Sequence, residues 1–227
     1  MIAMRQSSTS RWATTASAQG PAPGSSNNKQ EESYFDTGIS DLVMRRFPWL
    51  LGLMMVQSIS GVIVDRYSAL IERHIVLASF LTMLVGGGGN SSGQTIASLI
   101  QRLTSGEVQD GQLCRVLLRE LTIGLILAVL LALFAYPRVL LLSKSATSLQ
   151  ALTISVAYAV IVTVANVTGV LVAMTLHKCG MAAVGSPPVV QVLVDVMGVM
   201  ITMVIAQAIL GSEDSESVGG KDSIGPR

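Results

Sequence analysis

Between residues 47 and 210 long apolar runs alternate with short polar breaks. Apolar runs of about 18 or more residues read as membrane-spanning helices. Five are present, at residues 47–64, 75–103, 116–142, 149–176 and 188–210. The first carries Pro48 and Trp49, an aromatic anchor of the kind found at membrane interfaces. The second is interrupted by four glycines at positions 86–89, and the fifth opens on Pro188, a residue suited to a first helical turn. The predicted fold class is therefore all-α: an integral membrane protein with five transmembrane helices.

The flanks differ in kind. Residues 1–44 are rich in Ser, Thr, Ala, Gly, Asn and Gln, a composition that cannot bury a core. They are expected to form a disordered cytosolic tail, although their Ser-rich, acid-poor start is also weakly like an organelle transit peptide. Residues 212–227 are expected to be a disordered polar tail. The five-span domain then occupies residues 45–211. Arg45, Arg46, Arg102, Arg115, Arg119 and Lys178 flank one side, against Arg66, Arg73, Arg138 and Lys144 on the other. The positive-inside rule puts the first group, and the N-terminus, in the cytosol. A cell membrane is favoured over an organelle membrane.

Composition narrows the function. Half of the chain is hydrophobic and 13% is charged, against about 25% charged in soluble domains. A net charge of +1 gives no electrostatic case for nucleic acid. Cys114 and Cys179 lie far apart without a CxxC partner, and His74 and His177 have no second ligand at metal-binding spacing.

One charge changes the picture most. Asp195 stands inside residues 188–210, a run with no other charge. A lone carboxylate there costs about 2.5–3.5 kcal/mol on insertion scales, so a partner charge, a water-filled cavity or a cation must compensate it. The only cations near a span that could approach are Arg115, Arg119 and Arg138. Pro188, Gln191, Asp195, Gly198 and Thr202 follow helical spacing and form one stripe. In the second span Gly89, Asn90, Gly93, Gln94, Ala97 and Gln101 form another. The glycines allow either close helix packing or a widened backbone beside a hydrated path. Gln94, Gln101 and Asn166 can also serve as interhelical hydrogen-bonding groups, and Glu120 reads as solvated or locally paired, with a pore role as the alternative. The oxygen ligands on offer suit hard cations, and Mg²⁺ commonly keeps several of its waters. The expected metal-contacting residues are Asp195, Asn90, Gln94, Gln191 and Thr202, with Gly89, Gly93, Ala97 and Gly198 lining the path.

Four ordered motifs resemble one family. Residues 80–94 read FLTMLVGGGGNSSGQ and residues 100–106 read IQRLTSG. These are similar to the Gly-Gly-Asn-x-Gly-x-Gln signature of MgtE magnesium channels and transporters and to the turn after it. Arg119-Glu120 with Gly124, then Asn166-Val-Thr-Gly169, resemble that family's third and fourth spans. Pro188 to Gly198 resembles its Pro-x-x-x-Thr-x-x-Asp-x-x-Gly. The resemblance implies a homodimeric pore domain with spans two and five along a path for hydrated Mg²⁺ and Asp195 facing the ion; Mn²⁺ or Co²⁺ could also pass. Departures are Ser92-Gly93 in place of Gly-Asn, Val192 in place of Thr, and Ala182-Ala183 in place of Asp-Pro. Many members carry cytosolic N-terminal and CBS domains; none is recognised in residues 1–44, so gating is expected within the pore or from another protein. The alternative is a non-transporting structural subunit of a membrane complex. An enzyme is not expected, because intramembrane catalysis needs paired groups and no histidine lies at mid-membrane depth beside Asp195.

Overall fold

A computed structural model describes residues 38–179 and 182–219. The expected N-terminal tail lies outside the described residues up to position 37, and the C-terminal tail does so from position 220. All described elements are helical: α1 (Ile39–Arg66), α2 (Ser68–Arg73), α3 (Ile75–Thr104), α4 (Leu113–Leu142), α5 (Ser148–Lys178) and α6 (Ala182–Gly219), with a 3₁₀ turn at Asp110–Gln112. Five of them, α1 and α3 to α6, are long and apolar enough to cross a membrane. The protein is an all-α, multi-pass membrane protein. At about 1.5 Å per residue, helices such as α3 and α4 exceed a hydrocarbon core of about 30 Å, so their ends project or tilt.

α5 is the centre of the bundle and packs against α3, α4 and α6. Its start is fixed by a capping box: the Gln150 N–H donates to Thr147 Oγ1 at 3.2 Å and the Thr147 N–H to Gln150 Oε1 at 3.0 Å. Ala151, Ala157, Ala165, Gly169 and Ala173 are buried along it and let neighbouring helices approach. α4 meets α5 through Gly124, Ala128, Ala135 and Val139 and turns Ile126, Val129, Leu133 and Phe134 outward. α1 is peripheral: Ile63 is its one buried residue, packed with Val199 and Met203 of α6. In a bilayer these outward apolar side chains face lipid.

The glycine run does not interrupt α3, which is continuous from Ile75 to Thr104. A Cβ on Gly88 would lie 2.6 Å from Ile161 Cγ2 and 3.0 Å from Val194 Cγ1; one on Gly87 would collide with the Tyr158 ring, and one on Gly89 with the Gln191 amide. The run therefore serves close packing rather than a widened backbone. Each glycine forgoes about 1 kcal/mol of helix propensity relative to alanine, offset by the contacts this seam permits. Val85 lies against Gly198, Gly88 against Val194 and Gly89 against Gln191, so α3 and α6 run antiparallel.

Three helix ends also differ from expectation. α6 begins at Ala182, so Pro187 and Pro188 lie inside the helix rather than at its first turn. Their missing N–H groups leave two carbonyls of the preceding turn without helical partners. α6 continues to Gly219 because no proline interrupts residues 189–218, and α1 starts at Ile39, ahead of Arg45.

Candidate functional site

Asp195 is half-buried on α6, and both of its carboxylate oxygens are held by amides. Gln191, one turn earlier, donates from Nε2 to Oδ1 at 2.6 Å. Gln57 of α1 donates from Nε2 to Oδ2 at 2.9 Å. An ionised carboxylate only accepts, which orients both amides with NH₂ toward Asp195. Among the described residues no cation pairs with it, so Arg115, Arg119 and Arg138 do not fill the role that spacing allowed them. The carboxylate opens instead into a groove of about 350 Å³ between α1, α3 and α6. Ser60, Thr82, Val85 and Gly86 line that groove, and the buried Ser60 Oγ has no hydrogen-bond partner among the described residues.

The other predicted residues divide into two groups. Asn90, Gln94 and Ala97 lie exposed on α3, with Gly93 half-buried and open at its Cα. Gly89 is buried beneath Gln191. Together with Gln191 and Asp195 they form a polar strip on the surface of the chain, at the depth of the spans. Gly198 and Thr202 do not join it. Gly198 is buried against Val85 at 3.3 Å, and the fully buried Thr202 hydroxyl donates to the Gly198 carbonyl at 2.7 Å. Past Asp195, Gly198 faces Val85 of α3 and Ile161 of α5, while Ile63 of α1 packs on the adjacent Val199 and Met203, so the stripe closes.

Gln57 is the site residue that the sequence pattern does not reveal. It is the one amide in the first span, a polar side chain in an apolar run, which is the available signal. Its partner lies 138 residues away, beyond the reach of any local pattern.

A second polar cluster is enclosed between α3, α4 and α5. Asn166 Oδ1 accepts from Ser91 Oγ at 3.0 Å and from Thr95 Oγ1 at 2.8 Å, and Thr95 also reaches Glu120 Oε2 at 3.4 Å. Gly124 makes room for it, since a Cβ there would stand 2.7 Å from Asn166 Nδ2. Asn166 thus acts as an interhelical hydrogen-bonding group, whereas Gln94 and Gln101 are exposed at the surface of the bundle. Glu120 stands beside this cluster, 3.4 Å from Thr95 Oγ1, and makes no ion pair with its neighbour Arg119 among the described residues.

The donor set limits what could bind. No group of three or more His, Cys, Asp or Glu side chains converges among the described residues. One carboxylate with neutral amides and hydroxyls cannot strip a divalent ion of its water, but it can accept hydrogen bonds from the ion's hydration shell.

Comparison with known proteins agrees with this chemistry. The model of a family described as a divalent cation transporter, MgtE, matches residues 81–205. The magnesium transporter MgtE of Bacillus subtilis (strain 168) is 26% identical over 183 residues, covering 78% of this chain and 39% of that protein. The magnesium transporter MgtE of Enterococcus faecalis (strain ATCC 700802 / V583) is 28% identical over 169 residues, covering 71% and 36% respectively. The magnesium transporter MgtE of Thermus thermophilus is 27% identical over 178 residues, covering 78% and 39%. The chain spans less than two fifths of the length of these relatives. With more than half of its residues matched in one stretch that includes α5 and Asp195, the chain belongs to the MgtE family of divalent cation transporters.

Proposed function

We propose that this protein carries divalent cations, Mg²⁺ foremost, across a membrane as hydrated ions drawn by Asp195. The observation that carries this reading is the carboxylate of Asp195, held by Gln57 and Gln191 and open to a groove at membrane depth, with no cation paired to it among the described residues. Two neutral amides orient the carboxylate without cancelling its charge. A hydrated cation then supplies the compensation that a buried charge requires. Mg²⁺ sheds water reluctantly, so a site of this kind acts on the hydrated ion. Mn²⁺ and Co²⁺ share its preference for oxygen ligands closely enough to pass as well.

The polar strip implies the assembly. Asn90, Gln94 and Gln191 would face lipid in an isolated chain, an expensive arrangement at this depth. A second copy about a two-fold axis covers the strip with its own and brings two Asp195 carboxylates toward one path; two-fold dimers are also the commonest closed homo-oligomers. In this reading residues 45–211 form the transport domain, and the positive-inside count places the N-terminus in the cytosol, most simply of a cell membrane. The test is Mg²⁺ uptake by the purified chain in liposomes, read by an internal Mg²⁺-sensitive dye with and without an imposed potential. Uptake above protein-free liposomes supports transport. Absence of flux under both conditions would favour a structural subunit instead.

A further inference from the structure

A cavity of about 370 Å³ lies where the end of α3, the following turn and the start of α4 meet, apart from the Asp195 groove. Its charged lining is Arg102, Arg115 and Arg119 with Glu107 and Glu120. Arg102 is paired with Glu107. Glu120, the other carboxylate on the wall, lies 3.4 Å from Thr95 Oγ1 and makes no ion pair among the described residues. Arg115 and Arg119 stand one helical turn apart on α4, on one face, and neither pairs with a carboxylate among the described residues. Gln112, which precedes α4, makes no side-chain cap, so the first N–H groups of the helix add partial positive charge one turn before Arg115.

The same lining includes apolar Leu99, Val116 and Ile123, with Ile123 farthest along α4. From Ile123 the outward face of α4 continues through Ile126, Leu130 and Phe134, all exposed. Three arginines against two carboxylates, one of them paired with Arg102, leave the lining net basic, and it meets the lipid-facing apolar track at Ile123; that combination matches an amphiphile better than a free anion. We propose that this cavity binds the headgroup of an anionic phospholipid, with Arg115 and Arg119 on the phosphate and an acyl chain along Ile123, Ile126 and Leu130. Basic pockets between transmembrane helices at the cytoplasmic surface have this chemistry. The site tethers the α3–α4 turn to the membrane surface, at the end of the helix that carries Asn90 and Gln94.

The test is native mass spectrometry of the purified chain in detergent, titrated with phosphatidylglycerol or phosphatidylcholine. The parent should retain phosphatidylglycerol preferentially. R115Q/R119Q should lose about fivefold for each arginine, roughly 25-fold together, with phosphatidylcholine binding unchanged and melting temperature preserved. Glu107→Gln, on an exposed turn, frees Arg102 and should tighten phosphatidylglycerol retention severalfold. Equal phosphatidylglycerol binding by the parent and R115Q/R119Q would overturn the proposal. So would displacement of the lipid by inorganic phosphate as effective as that by short-chain phosphatidylglycerol, which would mark a free-phosphate site. If R115Q/R119Q does not fold, Glu107→Gln decides: no gain in retention counts against the site.

Discussion

Replacing Gly88 by alanine would set a methyl group 2.6 Å from Ile161 Cγ2 and 3.0 Å from Val194 Cγ1. Neither neighbour can yield easily, since Ile161 is 1% and Val194 2% exposed. Overpacking of this kind costs about 1–3 kcal/mol. Alanine also gains about 1 kcal/mol in helix propensity over glycine, which would blur a single measurement. Gly86 supplies the control: it stands just ahead on the same helix, and a Cβ there meets nothing within 4 Å. Gly86→Ala keeps the propensity gain without the clash. The difference between the two variants therefore isolates packing at the α3–α5–α6 seam. At about 2–4 °C per kcal/mol for a chain of this size, Gly88→Ala should melt several degrees below Gly86→Ala in the same detergent. Equal melting temperatures, or a more stable Gly88→Ala, would refute the view that the glycine run exists for close packing.

Other substitutions probe the neighbouring contacts. Gly89→Ala meets the far end of the exposed Gln191 rather than a buried side chain; it should leave melting nearly unchanged but displace Gln191 from Asp195, seen as altered Mg²⁺ uptake, and a large loss of stability would contradict this. Thr95→Val removes the hydroxyl between Asn166 and Glu120 and should cost about 1–2 kcal/mol, measured as a lower melting temperature; no change would mean the buried cluster contributes little. Cysteine probes belong on the exposed strip: Asn90→Cys or Gln94→Cys should cross-link between chains under mild oxidation, whereas Gly198→Cys, packed against Val85, should not. Failure of both strip probes to cross-link in membranes would count against the two-fold assembly.

The five spans were legible because bilayer thickness imposes long apolar runs that few other constraints mimic. Asp195 and Gln191 were legible because a charge and an amide one turn apart stand out against Val, Leu and Met. What local patterning missed was set by neighbours. Thr202 lies at nearly the same helical angle as Asp195, yet it is fully buried, one turn beyond Gly198, which faces Val85 and Ile161. Gln57 joined the site because α1 meets α6 there, a contact between segments far apart in sequence. The glycine run read equally well as loosening or as packing, and only Tyr158, Ile161 and Gln191 lying on it decide the matter. Pro188 suggested a helix start, but residues 182–187 extend the helix before it.

The central claim is that the Asp195 carboxylate draws the hydrated ion. It is tested most directly by Mg²⁺ uptake into liposomes holding equal amounts of the parent, Asp195→Asn and Asp195→Glu, each checked for monodisperse elution and unchanged melting. Asp195→Asn is nearly isosteric; it removes the charge and turns one accepting oxygen into an NH₂ donor, which Gln57 or Gln191 can meet by turning its amide. Uptake should fall at least about tenfold, the factor that about 1.4 kcal/mol of lost attraction represents. Asp195→Glu should retain part of the flux with its carboxylate displaced. Folded Asp195→Asn that takes up Mg²⁺ at the parent rate would contradict the account.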